Sequence, residues 1–182
     1  MRVSIREASL EISQGDITAQ EVTCLVNAAN SRLAGGGGVD GAIHRAAGPA
    51  VMAETSRLYP AGCPTGDAVI STAGELSADY VIHAVGPIWN GGQSGESEQL
   101  RSAYRRSLEL AHEHGCESIA LPALSTGAYG YPMDLAARIA LRAARDFLLE
   151  HNLPRLVRFV LFGEGAYGAF AAALEEVMAE PV

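Results

Sequence analysis

Short apolar, β-branched runs alternate along the chain with longer segments in which apolar residues recur every three or four positions. Short runs of this kind are typical of buried strands, and the periodic segments are typical of helices with one apolar face. The predicted strands are Val3–Ile5, Leu10–Gln14, Cys24–Ala28, Ala68–Ser71, Tyr80–Val85, Ser118–Leu121 and Leu156–Leu161. The predicted helices are Asp40–Ala47, with an extension past Pro49 to Arg57, then Glu98–His114, Asp134–His151 and Ala166–Ala179.

The order of these elements predicts the fold class. Strands that alternate with helices of this length favour a three-layer α/β/α sandwich, in which helices cover both faces of a central sheet. The first two strands follow each other without a helix between them, so they favour an antiparallel edge and hence a mixed sheet. No repeat and no linker interrupts the 182 residues, which predicts a single domain over residues 1–182.

Composition excludes several classes of protein. No apolar stretch approaches the roughly 20 residues of a membrane span, and the N-terminus lacks the plan of a secretion signal, so a cytoplasmic protein is expected. Three widely spaced cysteines without a C-x-x-C pair argue against a disulfide framework and a zinc site. We therefore expect neither a metal nor a cofactor.

Charge narrows the choice of ligand. The net charge of −8 disfavours an extended nucleic-acid surface. All 13 basic residues are arginine, so a Walker A loop, which needs a lysine after its glycines, is excluded together with Schiff-base chemistry. If the chain binds phosphate, backbone N–H groups and helix dipoles must do most of it.

The segment from Asn27 to Pro49 is the most informative part of the chain. Four consecutive glycines, among them Gly36, Gly37 and Gly38, lead through Val39 into the first predicted helix. Glycine-rich turns that open onto a helix N-terminus suit bound phosphate. The run matches the spacing of a dinucleotide-binding G-x-G-x-x-G motif, but no following strand ends in the acidic residue that this motif requires.

The polar residues around the glycines each allow two interpretations. Asp40 fits a helix cap, and His44, four residues later on the same helix face, fits a packed side chain. Next to a glycine loop, however, an aligned acid and imidazole also suit catalysis. Asn27 and Asn30 fit a turn after their strand, or amides that hold ribose hydroxyls.

Two further loops follow predicted strands. Residues 125–130 form a second glycine-containing loop whose backbone N–H groups suit a diphosphate, and Tyr129 within it suits a cover for a sugar ring. Phe162 ends the last strand, where core packing is the simpler interpretation. Ligands of such sheets bind beyond the carboxyl ends of the strands, so the three loops together predict one cleft.

At this point the residues show a resemblance to a known family. The chain resembles the macrodomains, and most closely their MacroD-type branch of ADP-ribosyl-acceptor hydrolases and O-acetyl-ADP-ribose deacetylases. The resemblance covers nearly the whole chain, and its motifs are GDIT at 15–18, VNAAN at 26–30, GGGVDGAIHRAAGP at 36–49, HAVGP at 83–87 and STGAYGYP at 125–132.

The resemblance implies ADP-ribose as the ligand and assigns a set of binding residues. Asp16 and the Ile17 amide would contact the adenine, on which Phe162 would stack. The loop Gly36, Gly37, Gly38 and Val39 and the loop Ser125, Thr126, Gly127 and Ala128 would embrace the diphosphate. Asn27 and Asn30 would lie by the distal ribose, which Tyr129 would cover.

The resemblance also implies a reaction, in which ADP-ribose is released from mono-ADP-ribosylated Asp or Glu side chains, or acetate from O-acetyl-ADP-ribose. Either Asp40 or the ligand's own phosphate would orient or deprotonate the attacking water. Asn30 would fix the ribose, and His44 would support Asp40 or the ribose. Mono-ADP-ribosylated proteins would be the partners. The alternative is a reader module that binds ADP-ribose without turnover, since the fold alone does not decide between the two.

Overall fold

The computed structural model describes all residues from Met1 to Val182 and contains seven strands and five α-helices. The strands are β1 Arg2–Ile5, β2 Ala8–Gln14, β3 Cys24–Ala28, β4 Ala68–Thr72, β5 Tyr80–Ala84, β6 Ser118–Leu121 and β7 Leu156–Leu161. The helices are α1 Gly38–Ala47, α2 Pro49–Leu58, α3 Glu96–Glu113, α4 Met133–Glu150 and α5 Glu164–Ala179.

The strands form one mixed sheet in the order β1-β2-β7-β6-β3-β5-β4. The antiparallel pairing of β1 with β2 confirms the edge predicted from the sequence. The opposite edge is also antiparallel, because β4 pairs with β5 in that direction, and this second reversal was not predicted. The strands between the edges are parallel, so their carboxyl ends lie at the same border of the sheet.

The core lies in two layers, one on each face of the sheet. Successive residues of a strand point to opposite faces. In β3, Cys24 and Val26 pack beneath α3, α4 and α5, whereas Leu25 packs beneath α1 and α2. Helices therefore cover both faces, and the predicted three-layer α/β/α sandwich is confirmed.

One predicted helix is in fact two. Helix α1 ends before Gly48, which adopts a φ of 80°, and α2 begins at Pro49. A left-handed φ suits glycine and interrupts a helix, and proline fits the first position of the helix that follows. None of the five helices has both the length and the apolar character required to cross a lipid bilayer.

Candidate functional site

The predicted ligand residues lie along one border of the sheet. Five parallel strands end there, and the loops after β2, β7, β6 and β3 stand side by side in that order. The amide of Gly15, just after β2, donates to the carbonyl of Leu161 at 2.9 Å. Asp16 and Phe162 therefore follow neighbouring strands, and the second glycine loop separates them from the first.

At the β2 and β7 end, Asp16 and Phe162 both face solvent. The Asp16 carboxylate accepts from the hydroxyl of Thr18 at 2.7 Å and from its amide at 2.8 Å, and these bonds lower the pKa of Asp16. The Ile17 side chain is buried against the α1 side of the sheet. Phe162 is 90% exposed, so the interpretation of this side chain as core packing is wrong.

The glycine run is shaped by Asn30 and by a close approach to α1. Asn30 donates to the carbonyl of Gly35 at 2.8 Å and accepts from the amide of Ala34 at 3.1 Å, so its side chain fixes the turn before the glycines. A Cβ on Gly41 would stand 2.5 Å from the carbonyl oxygen of Gly36. Glycine at position 41 therefore allows the run to fold back onto the first turn of α1.

The start of α1 is available to an anion. The helix has Gly37 as its N-cap and no side-chain cap, and Gly36, Gly37 and Gly38 are all exposed. The first N–H groups of an α-helix have no partner within the helix and carry its positive dipole end. Val39 is half-buried and packs on the core beneath α1.

Asp40 lies in the first turn of α1 but makes no hydrogen bond to its free N–H groups, so the capping interpretation is wrong. Its side chain is buried with 6% exposure, and its Oδ1 accepts from Asn27 Nδ2 at 2.8 Å. His44 Nε2 lies 3.3 Å from the same oxygen, as its position one turn later allows. Oδ2 has no hydrogen bond to the protein and lies 3.5 Å from the position that a Cβ on Gly36 would take.

The prediction that Asn27 lines the ribose is wrong. Its side chain is completely buried beneath Asp40, because alternation along β3 points it into the α1 side of the sheet. There its amide group contacts Asp40 and the ring of His83 and has no exposed surface to offer a ligand.

Neither His83 nor Ser71 is among the residues predicted from the sequence to form the site. Both side chains are buried, and His83 Nε2 lies 2.9 Å from Ser71 Oγ. Burial, with a smaller contribution from the nearby His44 ring, lowers the pKa of His83 to about 3. The available signal was the pair of polar residues Asn27 and His83 within apolar strands that lie next to each other.

The second loop lies on the neighbouring strand end. Ser125 is buried with a φ of 66° and packs on Gly86. The backbone amide of Tyr131 donates to the Ser125 carbonyl at 2.9 Å. Thr126 donates to the carbonyl of Ala123 at 2.8 Å, which tightens the turn. Gly127 and Ala128 are exposed.

Tyr129 is half-buried at the rim of this loop, and its carbonyl accepts from the amide of Trp89 at 2.8 Å. The loop after β5 therefore supports the second glycine loop. The border of the sheet thus combines an exposed aromatic ring, an unpartnered helix N-terminus, a second glycine loop and a buried carboxylate. This arrangement suits a nucleotide with a diphosphate and a reactive group beside Asp40.

Comparison with known proteins identifies the family. The Macro domain model matches residues 26–140, a range that contains both glycine loops and Asp40. The chain belongs to the Macro domain family. Its central sheet and its two helical layers are therefore those of a macrodomain, and the family resemblance noted in the sequence is confirmed.

Similar proteins cover the chain almost from end to end. An O-acetyl-ADP-ribose deacetylase of Salmonella newport is 50% identical over 174 residues, which are 94% of this macrodomain and 97% of that protein. The Oceanobacillus iheyensis macrodomain with ADP superimposes with a TM-score of 0.93 at 42% identity and covers 98% of this chain and 96% of its own. The Trypanosoma brucei macrodomain in complex with ADP-ribose gives 0.84 at 40% identity, with coverage of 91% and 68%.

Proposed function

We propose that this macrodomain is a hydrolase that binds ADP-ribose and cleaves esters on its distal ribose. The substrates are O-acetyl-ADP-ribose and proteins mono-ADP-ribosylated on Asp or Glu side chains. The observation that supports this proposal is the geometry of Asp40, whose Oδ1 is held inside the protein while Oδ2 faces the glycine run. Relatives named as O-acetyl-ADP-ribose deacetylases and similar structures with bound ADP or ADP-ribose also support this function.

Different residues would bind the adenine, the diphosphate and the distal ribose of the ligand. Phe162 offers an exposed ring for the adenine, and Asp16 offers an ionised acceptor for its amino group. The N–H groups at the start of α1 and in the loop from Ser125 to Ala128 would bind the diphosphate. Because this chain has no lysine, the positive ends of backbone dipoles take the place of an ammonium group.

The distal ribose would lie between Asn30 and Tyr129. The Asn30 amide keeps one N–H and one lone pair beyond the two bonds that fix its turn, and these suit a ribose hydroxyl. Tyr129 at the opposite rim would cover the sugar. This placement brings the ester of the distal ribose towards Asp40.

The reaction requires a water molecule directed at the ester carbonyl and stabilisation of the charge that develops there. Oδ2 of Asp40 would orient this water and accept its proton as the water oxygen bonds to the ester carbonyl carbon. The ester C–O bond to the ribose would then break, and the departing ribose oxygen would take up that proton to leave as a hydroxyl, while the positive dipole end of α1 favours the negative charge that develops in between. His44 would support the carboxylate through Oδ1. The fixed carboxylate would contribute by positioning the water against the ester.

Asp40→Asn tests the proposal, because the variant keeps the size of the side chain and removes the charge. We expect release of acetate or ADP-ribose to fall by a factor of about 100 or more. Calorimetric binding of ADP-ribose should stay within a few-fold of wild type. The matched control is Asp134→Asn in α4, an acid with 66% exposure, which should leave both measurements unchanged.

The same experiment separates the enzyme from a reader module. A wild-type protein that binds ADP-ribose but releases nothing from either ester would contradict the proposed hydrolase and support a reader. The ratio of kcat/KM for O-acetyl-ADP-ribose and for a glutamate-linked protein substrate then ranks the two ester classes.

A further inference from the structure

Four buried polar groups form a continuous path from the edge strand β4 to Asp40. Ser71 lies in β4, His83 in β5, Asn27 in β3 and Asp40 in α1. The bonds are Ser71 Oγ to His83 Nε2 at 2.9 Å, Asn27 Nδ2 to His83 Nδ1 at 3.2 Å and Asn27 Nδ2 to Asp40 Oδ1 at 2.8 Å. The path runs on the sheet face that α1 covers.

The hydrogen atoms along this path have one consistent arrangement. Ser71 donates its only hydrogen to the carbonyl of Thr72 at 2.9 Å, so it must accept from His83 Nε2. A neutral imidazole with a hydrogen on Nε2 has an acceptor at Nδ1. Asn27 can then donate one hydrogen to that nitrogen and the other to Asp40.

Burial keeps the His83 ring neutral at ordinary pH, as the lowered pKa of this histidine indicates. The Asn27 amide is likewise fixed in one orientation. Reversal would set its carbonyl oxygen against the Asp40 carboxylate and would remove both of its donated bonds. The present orientation leaves Asn27 Oδ1 buried without a hydrogen-bond partner.

The path determines which carboxylate oxygen of Asp40 remains free. Oδ1 receives the Asn27 amide and lies next to His44, whereas Oδ2 faces Gly36 with no partner from the protein. The two oxygens are chemically equivalent, but a quarter-turn of the carboxylate would break the bond to Asn27, so the path fixes the plane of the group and the direction of its free oxygen. His83, which reaches Asp40 only through Asn27, can therefore control the direction of the reacting oxygen.

We propose that Asn27 and His83, supported by Ser71, are positioning residues that hold Asp40 with Oδ1 occupied and Oδ2 directed at the water that attacks the ester. The inference rests on the proposed hydrolase function. All three side chains are buried and offer no surface to a ligand. Their effect is therefore expected in turnover and not in affinity.

The kinetic test compares His83→Phe with His83→Gln. Phenylalanine retains a flat ring but neither accepts from Asn27 nor donates to Ser71, and we expect kcat to fall about 10- to 100-fold. KM and the calorimetric Kd for ADP-ribose should stay within about two-fold of wild type. Glutamine has one acceptor and one donor group, so this variant should recover most of the lost kcat.

Ser71→Ala provides a milder variant that removes one hydroxyl and leaves His83 Nε2–H without an acceptor. Its matched control is Ser107→Ala in α3, where a fully buried hydroxyl donates to the Ala103 carbonyl at 2.8 Å on the opposite face of the sheet. Both variants should lower the melting temperature. Only Ser71→Ala should lower kcat, by roughly three- to ten-fold.

Nitrogen-15 spectra of the His83 ring test the hydrogen-bond path without any substrate. We expect a neutral ring with the hydrogen on Nε2 at pH 7. A hydrogen on Nδ1, a charged ring, a folded His83→Phe variant with wild-type kcat, or equal loss of kcat and affinity would each overturn the inference. A wild-type protein without ester hydrolysis would instead overturn the proposed function, and the positioning role with it.

Discussion

At the scale of single residues, the buried hydroxyl of Tyr104 holds the start of the second glycine loop. It donates to the carbonyl of Pro122 and accepts from the amide of Leu124, both at 2.8 Å. The ring is 1% exposed, so removal of the hydroxyl leaves the two backbone groups without water and with only the 3.1 Å bond from the Leu124 amide to the Pro122 carbonyl. Buried backbone groups that lose a hydrogen-bond partner are costly.

Tyr104→Phe should therefore lower the free energy of unfolding by about 1–3 kcal/mol, measured by denaturant titration. The matched control is Tyr80→Phe, because the half-buried Tyr80 packs on the core and on the ring of His114 but makes no hydrogen bond through its hydroxyl. That control should stay within about 0.5 kcal/mol of wild type. Equal losses in the two variants would contradict a special role for the Tyr104 hydroxyl.

Residue-scale predictions from the sequence succeeded where spacing along one helix fixes proximity. Asp40 and His44 are one turn apart, and the structure places both side chains together. Spacing could not show that Asn27 contacts Asp40 across 13 residues, nor that His83 contacts Asn27 across 56. The Asn27–His83 contact depends on the register of β3 with β5, and the Asn27–Asp40 contact depends on how α1 packs on β3; the local sequence encodes neither.

At the scale of elements, the segment between β5 and α3 is held by one buried carboxylate. Glu96, at the start of α3, is 1% exposed. Its carboxylate accepts from the amides of Asn90 at 2.9 Å, Gly92 at 2.7 Å and Ser94 at 2.6 Å. The anchored segment includes Trp89, whose amide supports Tyr129 in the second glycine loop.

This anchor predicts a pH dependence. Burial opposes ionisation of Glu96, but the backbone donors outweigh it and lower the pKa of Glu96 below its ordinary value of 4.5. A carboxyl whose pKa is lower in the folded protein stabilises the fold fully above its unfolded pKa, and this stabilisation is lost as pH falls through the folded pKa. The wild-type protein should therefore lose stability below about pH 4.5.

Glu96→Gln removes this titration. Denaturant midpoints measured from pH 7 to pH 3 should show the variant less stable than wild type at neutral pH, with a gap that narrows below about pH 4.5. Other carboxyls titrate equally in both proteins, so the difference isolates Glu96. A gap that stays constant with pH would show that the anchor does not depend on ionisation.

The elements themselves followed from the sequence wherever local patterns were strong. The bounds of β3, β6 and β7 were predicted without error, since each is an apolar run between polar or turn residues. The break at Gly48 was missed, because the helical pattern continues on both sides of it. The antiparallel direction of β4 was missed as well, since strand direction depends on tertiary pairing.

At the scale of the whole molecule, the proposed ligand would connect loops that follow four different strands. Phe162 follows β7, Asp16 follows β2, and the two glycine loops follow β3 and β6. A ligand that binds only the folded chain stabilises it by RT ln(1 + [L]/Kd), or about 2.7 kcal/mol at 100 times Kd. For a protein of this length, this energy corresponds to a rise in melting temperature of about 5–10 °C.

The rise in melting temperature with ADP-ribose therefore measures binding by the whole cleft. It does so whether the protein hydrolyses esters or only binds ADP-ribose. Phe162→Ala should leave the melting temperature without ligand unchanged, because the ring is 90% exposed. At the same ligand concentration its shift should be smaller than that of wild type by at least about 2 °C, since base stacking contributes roughly 1–3 kcal/mol. Met178→Ala, a change in an exposed apolar residue of α5, should keep the full shift. If Phe162→Ala also kept the full shift, the adenine would bind elsewhere, and the order of ligand parts along the sheet border would have to be revised.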